Sequence, residues 1–116
     1  MQKEFRLRKR EDFKKVYQYG HSIANRSLVL YELDNNETEC HRFGISVSKK
    51  LGKAVVRNRV KRLIKEAIRS IISKNEIKKH KDFIIIARKP IIEMEYEQIE
   101  KSVEHLFRKM NLFVKK

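Results

Sequence analysis

The segment that most narrows the possible folds is DFIIIAR, residues 82–88. Phe83 to Ala87 form five consecutive apolar residues, three of them β-branched. So short and so uniform a run suits a central strand with apolar neighbours on both faces. Such a strand needs a covering layer above and below. SLVLYEL (27–33) has the same character: Val29, Tyr31 and Leu33 point one way, Leu28 and Leu30 the other. After the polar turn DNNETEC, RFGISVS (42–48) predicts a second strand returning antiparallel to the first.

The remaining apolar residues follow the helical period. In EDFKKVYQYG, Phe13, Val16 and Tyr17 fall at i, i+3 and i+4, and Gly20 is placed to stop the helix. HSIANRS reads as a connection. From about Val56 to about Ser73, the apolar positions Val60, Leu63, Ile64, Ala67, Ile68 and Ile71 occupy an arc of roughly 140°. KNEIKKHK is a solvated connection, and Pro90 ends the strand before it. From about Tyr96, Ile99, Val103, Leu106, Phe107 and Met110 form the stripe of a helix packed on a sheet. The order is α-β-β-α-β-α, an α+β two-layer sandwich. The length of 116 residues fits a single domain, with residues 1–10 as a basic, aperiodic N-terminal tail.

Charge then restricts the partner. The chain has 29 Lys and Arg against 15 Asp and Glu, a net charge of +14. That excess opposes compaction unless a polyanion neutralises it, and nucleic acid does so by releasing counterions. The charge is concentrated: Lys49, Lys50, Lys53, Arg57, Arg59, Lys61, Arg62, Lys65 and Arg69 face a single acid, Glu66. A solvated helix face ordinarily mixes signs through i, i+4 pairs, and this one hardly does. Arg forks hold phosphates bidentately and Lys acts as a point charge, while Asn58 can donate to and accept from a base edge or a 2′-OH. Phe13, Tyr17 and Tyr31 are either core residues or, beside Lys61 and Lys65, a stacking platform for single-stranded nucleic acid.

Other functions find no support in the sequence. His21, His41, His80 and His105 have no metal-ligand spacing with one another or with Cys40. KKLGKAV lacks the second glycine and the Ser or Thr of a phosphate loop. Glu93, Glu95 and Glu97 gather where a helix start favours carboxylates. No catalytic residue is expected. The single cysteine fits a reducing compartment, and no segment approaches the roughly 18 apolar residues of a membrane span. The expectation is a cytoplasmic protein without a membrane partner.

GISVSKKLGKAVVRNRVKRLIKE resembles the signature of the bacterial ribonuclease P protein component, with Arg57-Asn58-Arg59 as its Arg-Asn-Arg. EDFKKVYQYG, SIANRSLVLY, DFIIIARKP and the closing HLFRK match the family in order and spacing. The resemblance implies a fold like ribosomal protein S5 domain 2, with a left-handed βαβ crossover against the usual handedness. It implies a ribonucleoprotein that removes the 5′ leader of precursor tRNA and leaves a 5′-phosphate. The RNA subunit is then the catalyst, using Mg²⁺ bound mainly by the RNA, and the protein broadens substrate range. The same resemblance assigns Arg57, Asn58, Arg59, Arg62, Lys49, Lys50 and Lys53 to the catalytic RNA. Phe13, Tyr17, Val29, Tyr31, Lys61 and Lys65 match the positions that bind the precursor tRNA leader. Tyr17 stands where Phe is common, and Lys65 where Arg is also seen. Arg10 precedes the first helix where an N-capping Asn or Ser would be expected. The alternative is a structural RNA-binding protein of ribosomal type. DNA binding is disfavoured, because no partner helix directly precedes Val56.

Overall fold

The computed structural model describes residues 6–7 and 9–114. Its elements are α1 (Arg10–Tyr19), β1 (His21–Ala24), β2 (Leu28–Asp34), β3 (Arg42–Ser46), α2 (Ala54–Lys74), β4 (Lys81–Ala87) and α3 (Tyr96–Lys109). The strands form one mixed sheet in the order β1-β2-β4-β3. β4 pairs antiparallel with β2 and parallel with β3, so β3-α2-β4 is a parallel βαβ unit. The α+β architecture is as expected, with two differences of detail.

First, β2 and β3 do run in opposite directions, but they are not neighbours. β4 lies between them. The strand with the longest apolar run takes a position where both of its backbone edges are paired and both faces are covered.

Second, HSIANRS holds a strand as well as a turn, and the element order becomes α-β-β-β-α-β-α. β1 is almost wholly exposed, so it has no alternating apolar pattern to find. Backbone pairing with β2 makes it a strand. Asn25 builds the turn that follows. Its Oδ1 accepts from the backbone N–H of Ser27 at 3.1 Å and Leu28 at 2.8 Å. Its Nδ2 donates to the carbonyl and hydroxyl oxygens of Ser102 at 3.1 and 2.9 Å, tying the hairpin to α3.

The core lies on one face of the sheet. Leu28, Leu30, Phe43, Phe83, Ile85 and Ala87 meet the apolar stripes of α2 and α3 there. The rings of Phe43 and Phe83 stack at 4.9 Å, and those of Phe43 and Phe107 at 5.7 Å. Burying each such side chain contributes about 1.5–3 kcal/mol. Among the described residues, the opposite face is covered by α1, whose Val16 packs with Leu7 on Ile84.

Two segments contribute more than expected. Leu7, in the basic stretch read as a tail, is buried, and its N–H donates to the Phe43 carbonyl at 2.9 Å. Residues 1–5 and 8 of that stretch lie outside the described residues. Ile77, in the connection KNEIKKHK, is buried in the main core.

Helix ends follow local chemistry. α3 begins with a capping box in which the Glu95 N–H donates to Gln98 Oε1 at 2.9 Å. α1 begins at Arg10 after Lys9, with no side-chain cap, in line with the missing Asn or Ser. Gly20 does end α1, but with φ of −79°, outside the left-handed region. A Cβ there would stand 2.5 Å from the Val16 carbonyl oxygen and 2.6 Å from that of Glu32, so the close approach of two chains requires the glycine.

Candidate nucleic-acid interface

Strand register assembles the open face of the sheet. Val29, Ile86 and Ser46 form one row across β2, β4 and β3, and all three are half-buried. The next row is Tyr31, Ile84 and Gly44, followed by Leu33, Asp82 and Arg42. α1 lies over these last two rows. Its Phe13 ring sits on Gly44, where an added Cβ would come within 2.5 Å of Phe13 Cζ. Its Tyr17 meets Tyr31 edge to face, with ring centroids 5.2 Å apart. Tyr17 remains 41% exposed, so the aromatic bank of this cleft is wet on one side. The sheet floor therefore stays open along the Val29–Ile86–Ser46 row, beside two tyrosines in edge-to-face contact.

α2 borders the same region. Lys61 and Lys65 line a recess with Phe13, Gly44, Ile45, Phe43, Leu7 and Arg6. They lie one turn apart on the flank of α2 nearest β3. Asn58 and Arg62, three residues before Lys61 and Lys65 respectively, are exposed, as are Lys49, Lys50 and Lys53 just before the helix. Before α2, a 3₁₀ turn, Lys49–Leu51, starts where Ser48 Oγ accepts the Lys50 N–H at 3.2 Å. Gly52 follows with φ of +144°, a conformation that side chains strain to adopt. That turn presents Lys49 and Lys50 to solvent.

Two arginines of the signature are partly engaged within the protein. Arg57 Nε donates to the Gly52 carbonyl at 3.2 Å, and Arg59 Nη2 donates to the Met94 carbonyl at 3.4 Å. Both are half-buried, and each guanidinium has N–H donors beyond the one used in that bond.

Ion pairs accentuate this distribution. Among the described residues, the cations with acid partners are Arg42, Lys81 and Arg108. None lies between Lys49 and Arg69. Lys81 loses solvation by burial, but the hydrogen bonds it donates to Asp34 and Glu32 outweigh this and raise its pKa. The cations of α2 thus face solvent without neutralising partners, and an external polyanion is the counter-charge that fits them.

A family model described as ribonuclease P matches residues 1–111. The chain belongs to the ribonuclease P protein family. The ribonuclease P protein component of Bacillus velezensis is 55% identical over 115 residues, covering 99% of this chain and 97% of that one. That of Bacillus cereus is 49% identical over 112 residues. The Staphylococcus aureus RNase P protein superposes with a TM-score of 0.85 at 44% identity, over 95% of this chain and 98% of the other. The Thermotoga maritima RNase P protein gives 0.79 at 30% identity, over 90% of this chain and 96% of the other. Membership makes this chain a subunit of an RNA-processing ribonucleoprotein that serves tRNA maturation.

Against the ribonuclease P expectations, the structure brings Phe13, Tyr17, Val29 and Tyr31 to one cleft and sets Lys61 and Lys65 at its β3 edge. Asn58 and Arg62 are neighbours of those lysines on the same side of α2, exposed and outside the recess. Ile86 and Ser46 on the cleft floor escaped sequence reasoning, because only the register puts them in a row with Val29. Val55 escaped too. It is 80% exposed, one turn before Arg59, an apolar side chain among cations. Its departure from the apolar stripe of α2 was the available signal.

Proposed function

We propose that the protein is the non-catalytic subunit that holds the 5′ leader of precursor tRNA against a catalytic RNA, in the cytoplasm. On this reading the leader lies along the Val29–Ile86–Ser46 floor, with bases stacked on Tyr17 and Tyr31 and phosphates near Lys61 and Lys65. Arg57, Asn58, Arg59, Arg62, Lys49, Lys50 and Lys53 contact the catalytic RNA. The observation that carries the proposal is a cationic ridge of α2 that borders the cleft at one edge and continues into solvent. One helix turns Lys61 and Lys65 towards an aromatic cleft and presents Asn58 and Arg62 to open solvent.

The RNA supplies the reaction centre and hydrolyses one phosphodiester to leave a 5′-phosphate on the mature tRNA. Among the described residues, no three His, Cys, Asp or Glu side chains gather to hold a cation. The family resemblance, rather than that absence, assigns the Mg²⁺ of the reaction mainly to the RNA. The protein contributes binding energy for the leader and lowers repulsion between two polyanions.

Reconstitution tests this. At low Mg²⁺, a precursor tRNA should lose its leader only when catalytic RNA and protein are both present. Cleavage by the protein alone, or no effect of the protein on cleavage, would overturn the proposal.

A further inference from the structure

α1 carries the aromatic bank of the cleft, yet little in its own sequence fixes its place. It has 10 residues, no side-chain N-cap and one fully buried side chain, Val16. Isolated helices shorter than about 12–15 residues are marginal in water. Docking on the sheet must therefore determine where Phe13 and Tyr17 stand.

The docking includes one polar contact, and it is built on a rigid base. Asp82 on β4 is 2% exposed. Its Oδ1 accepts Arg42 Nε at 2.8 Å, and its Oδ2 accepts Arg42 Nη2 at 2.8 Å and Asn35 Nδ2 at 3.0 Å. Arg42 lies directly opposite on β3, so the fork is held flat in the sheet register. Bidentate Arg–carboxylate pairs fix geometry as well as adding energy. The remaining guanidinium nitrogen, Nη1, reaches Asp12 of α1 at 3.6 Å. Hydrogen bonding to Asp82 also raises the Arg42 pKa, despite opposition from burial, so the charge that faces Asp12 is permanent.

We propose that Arg42 is a positioning residue for the leader cleft: locked by Asp82, it holds Asp12 and so fixes where Phe13 and Tyr17 stand over the sheet. A partly exposed ion pair such as Arg42–Asp12 is weak as a source of net stability. Here it acts as a clamp that aims a helix. Val16 on Ile84 supplies the non-directional part of the docking, and Arg42 supplies the direction. The functional half of this inference rests on the cleft being the leader site. The geometric half does not.

Asp12→Asn is the sharpest probe, because it leaves the Arg42–Asp82 fork intact. It also raises the net charge by one, which by itself strengthens RNA binding. Two measurements separate the halves. By NMR, the Asp12→Asn protein should show a weakened Tyr17–Tyr31 ring contact and an unchanged Phe43–Phe83 contact. In the reconstituted holoenzyme, it should bind precursor tRNA about three- to five-fold more weakly, with mature tRNA unchanged. Asp12→Glu should restore both, and Arg42→Lys, which loses the fork, should reproduce the defect. An intact Tyr17–Tyr31 contact in Asp12→Asn, or tighter precursor binding, overturns the clamp. If Asp12→Asn fails to fold, the same two readings on Arg42→Lys decide. If Tyr31→Ala also leaves the precursor-to-mature ratio unchanged, the leader reading is what has failed.

Discussion

The two faces of the sheet come from the same strands and have opposite fates. On one face, Phe43, Phe83, Ile85 and Leu30 are sealed beneath α2 and α3. On the other, Val29, Tyr31 and Ile86 sit beside a single short helix and keep part of their surface in water. Along β4 the two faces alternate; on the α1 side Asp82 and Ile84 are buried, and Ile86 keeps part of its surface in water beside the sealed Ile85. The sealed face holds the fold together through burial and ring stacking. The half-open face spends apolar and aromatic surface on a groove. Stability and recognition are therefore separable by residue, even between adjacent positions of one strand.

The largest test of this contrast is Phe83→Ala. Removing a ring stacked on Phe43 should cost about 3–5 kcal/mol of unfolding free energy, read by urea denaturation. A loss as small as that at a half-open position would erase the distinction between the faces.

Tyr31→Ala is the counterpart on the open face. Its stability cost should be well below that of Phe83→Ala. Precursor tRNA should bind more weakly by about 1–3 kcal/mol for each stacked base lost, with mature tRNA spared. Equal losses for the two tRNAs would refute the assignment of the cleft.

The α2 cations sharpen the same separation between holding and binding. Arg62→Ala, at an exposed position, should reduce the salt dependence of catalytic-RNA binding by roughly 0.7–0.9 in log–log slope, without moving the unfolding midpoint. Arg59→Ala should reduce that slope by about one unit at most, weaken assembly, and also cost about 0.5–1.5 kcal/mol, because it loses the bond to the Met94 carbonyl.

The smallest effect concerns pH. His41 packs edge-on to Phe43 with ring centroids 5.3 Å apart. Burial, and then the nearby Lys79 charge, lower its pKa below the ordinary 6.5. The unfolded chain therefore binds a proton at a pH where the folded chain does not. The stability associated with neutral His41 is fully present above pH 6.5 and is lost as pH falls through the lower folded value. His41→Gln should flatten that part of a stability–pH curve, and an unchanged slope would show that burial does not govern this ring.

Much of this was legible in the chain. The apolar stripes of α2 and α3 are local and periodic, so their cores and approximate ends could be read directly. The Lys49–Arg69 charge excess is local too, and it pointed to a polyanion before any fold was known. The residues proposed to bind the leader were a different case. Periodicity left Phe13, Tyr17 and Tyr31 open between core and platform, and only the family resemblance assigned them a role. β1 was missed because an exposed edge strand needs no apolar pattern. Leu7 and Ile77 were missed because a single apolar residue among charges has no period.

The sequence by itself determined the helices, the doubly apolar central strand and the cationic side of α2, because each depends on neighbours a few residues away. Only the tertiary structure decided that β4 enters between β2 and β3, that Ile86 and Ser46 join Val29 as a floor, and that Arg42 reaches Asp12. Those facts are pairings between distant segments. Strand register fixes them, and a one-residue slip would send every side chain to the opposite face.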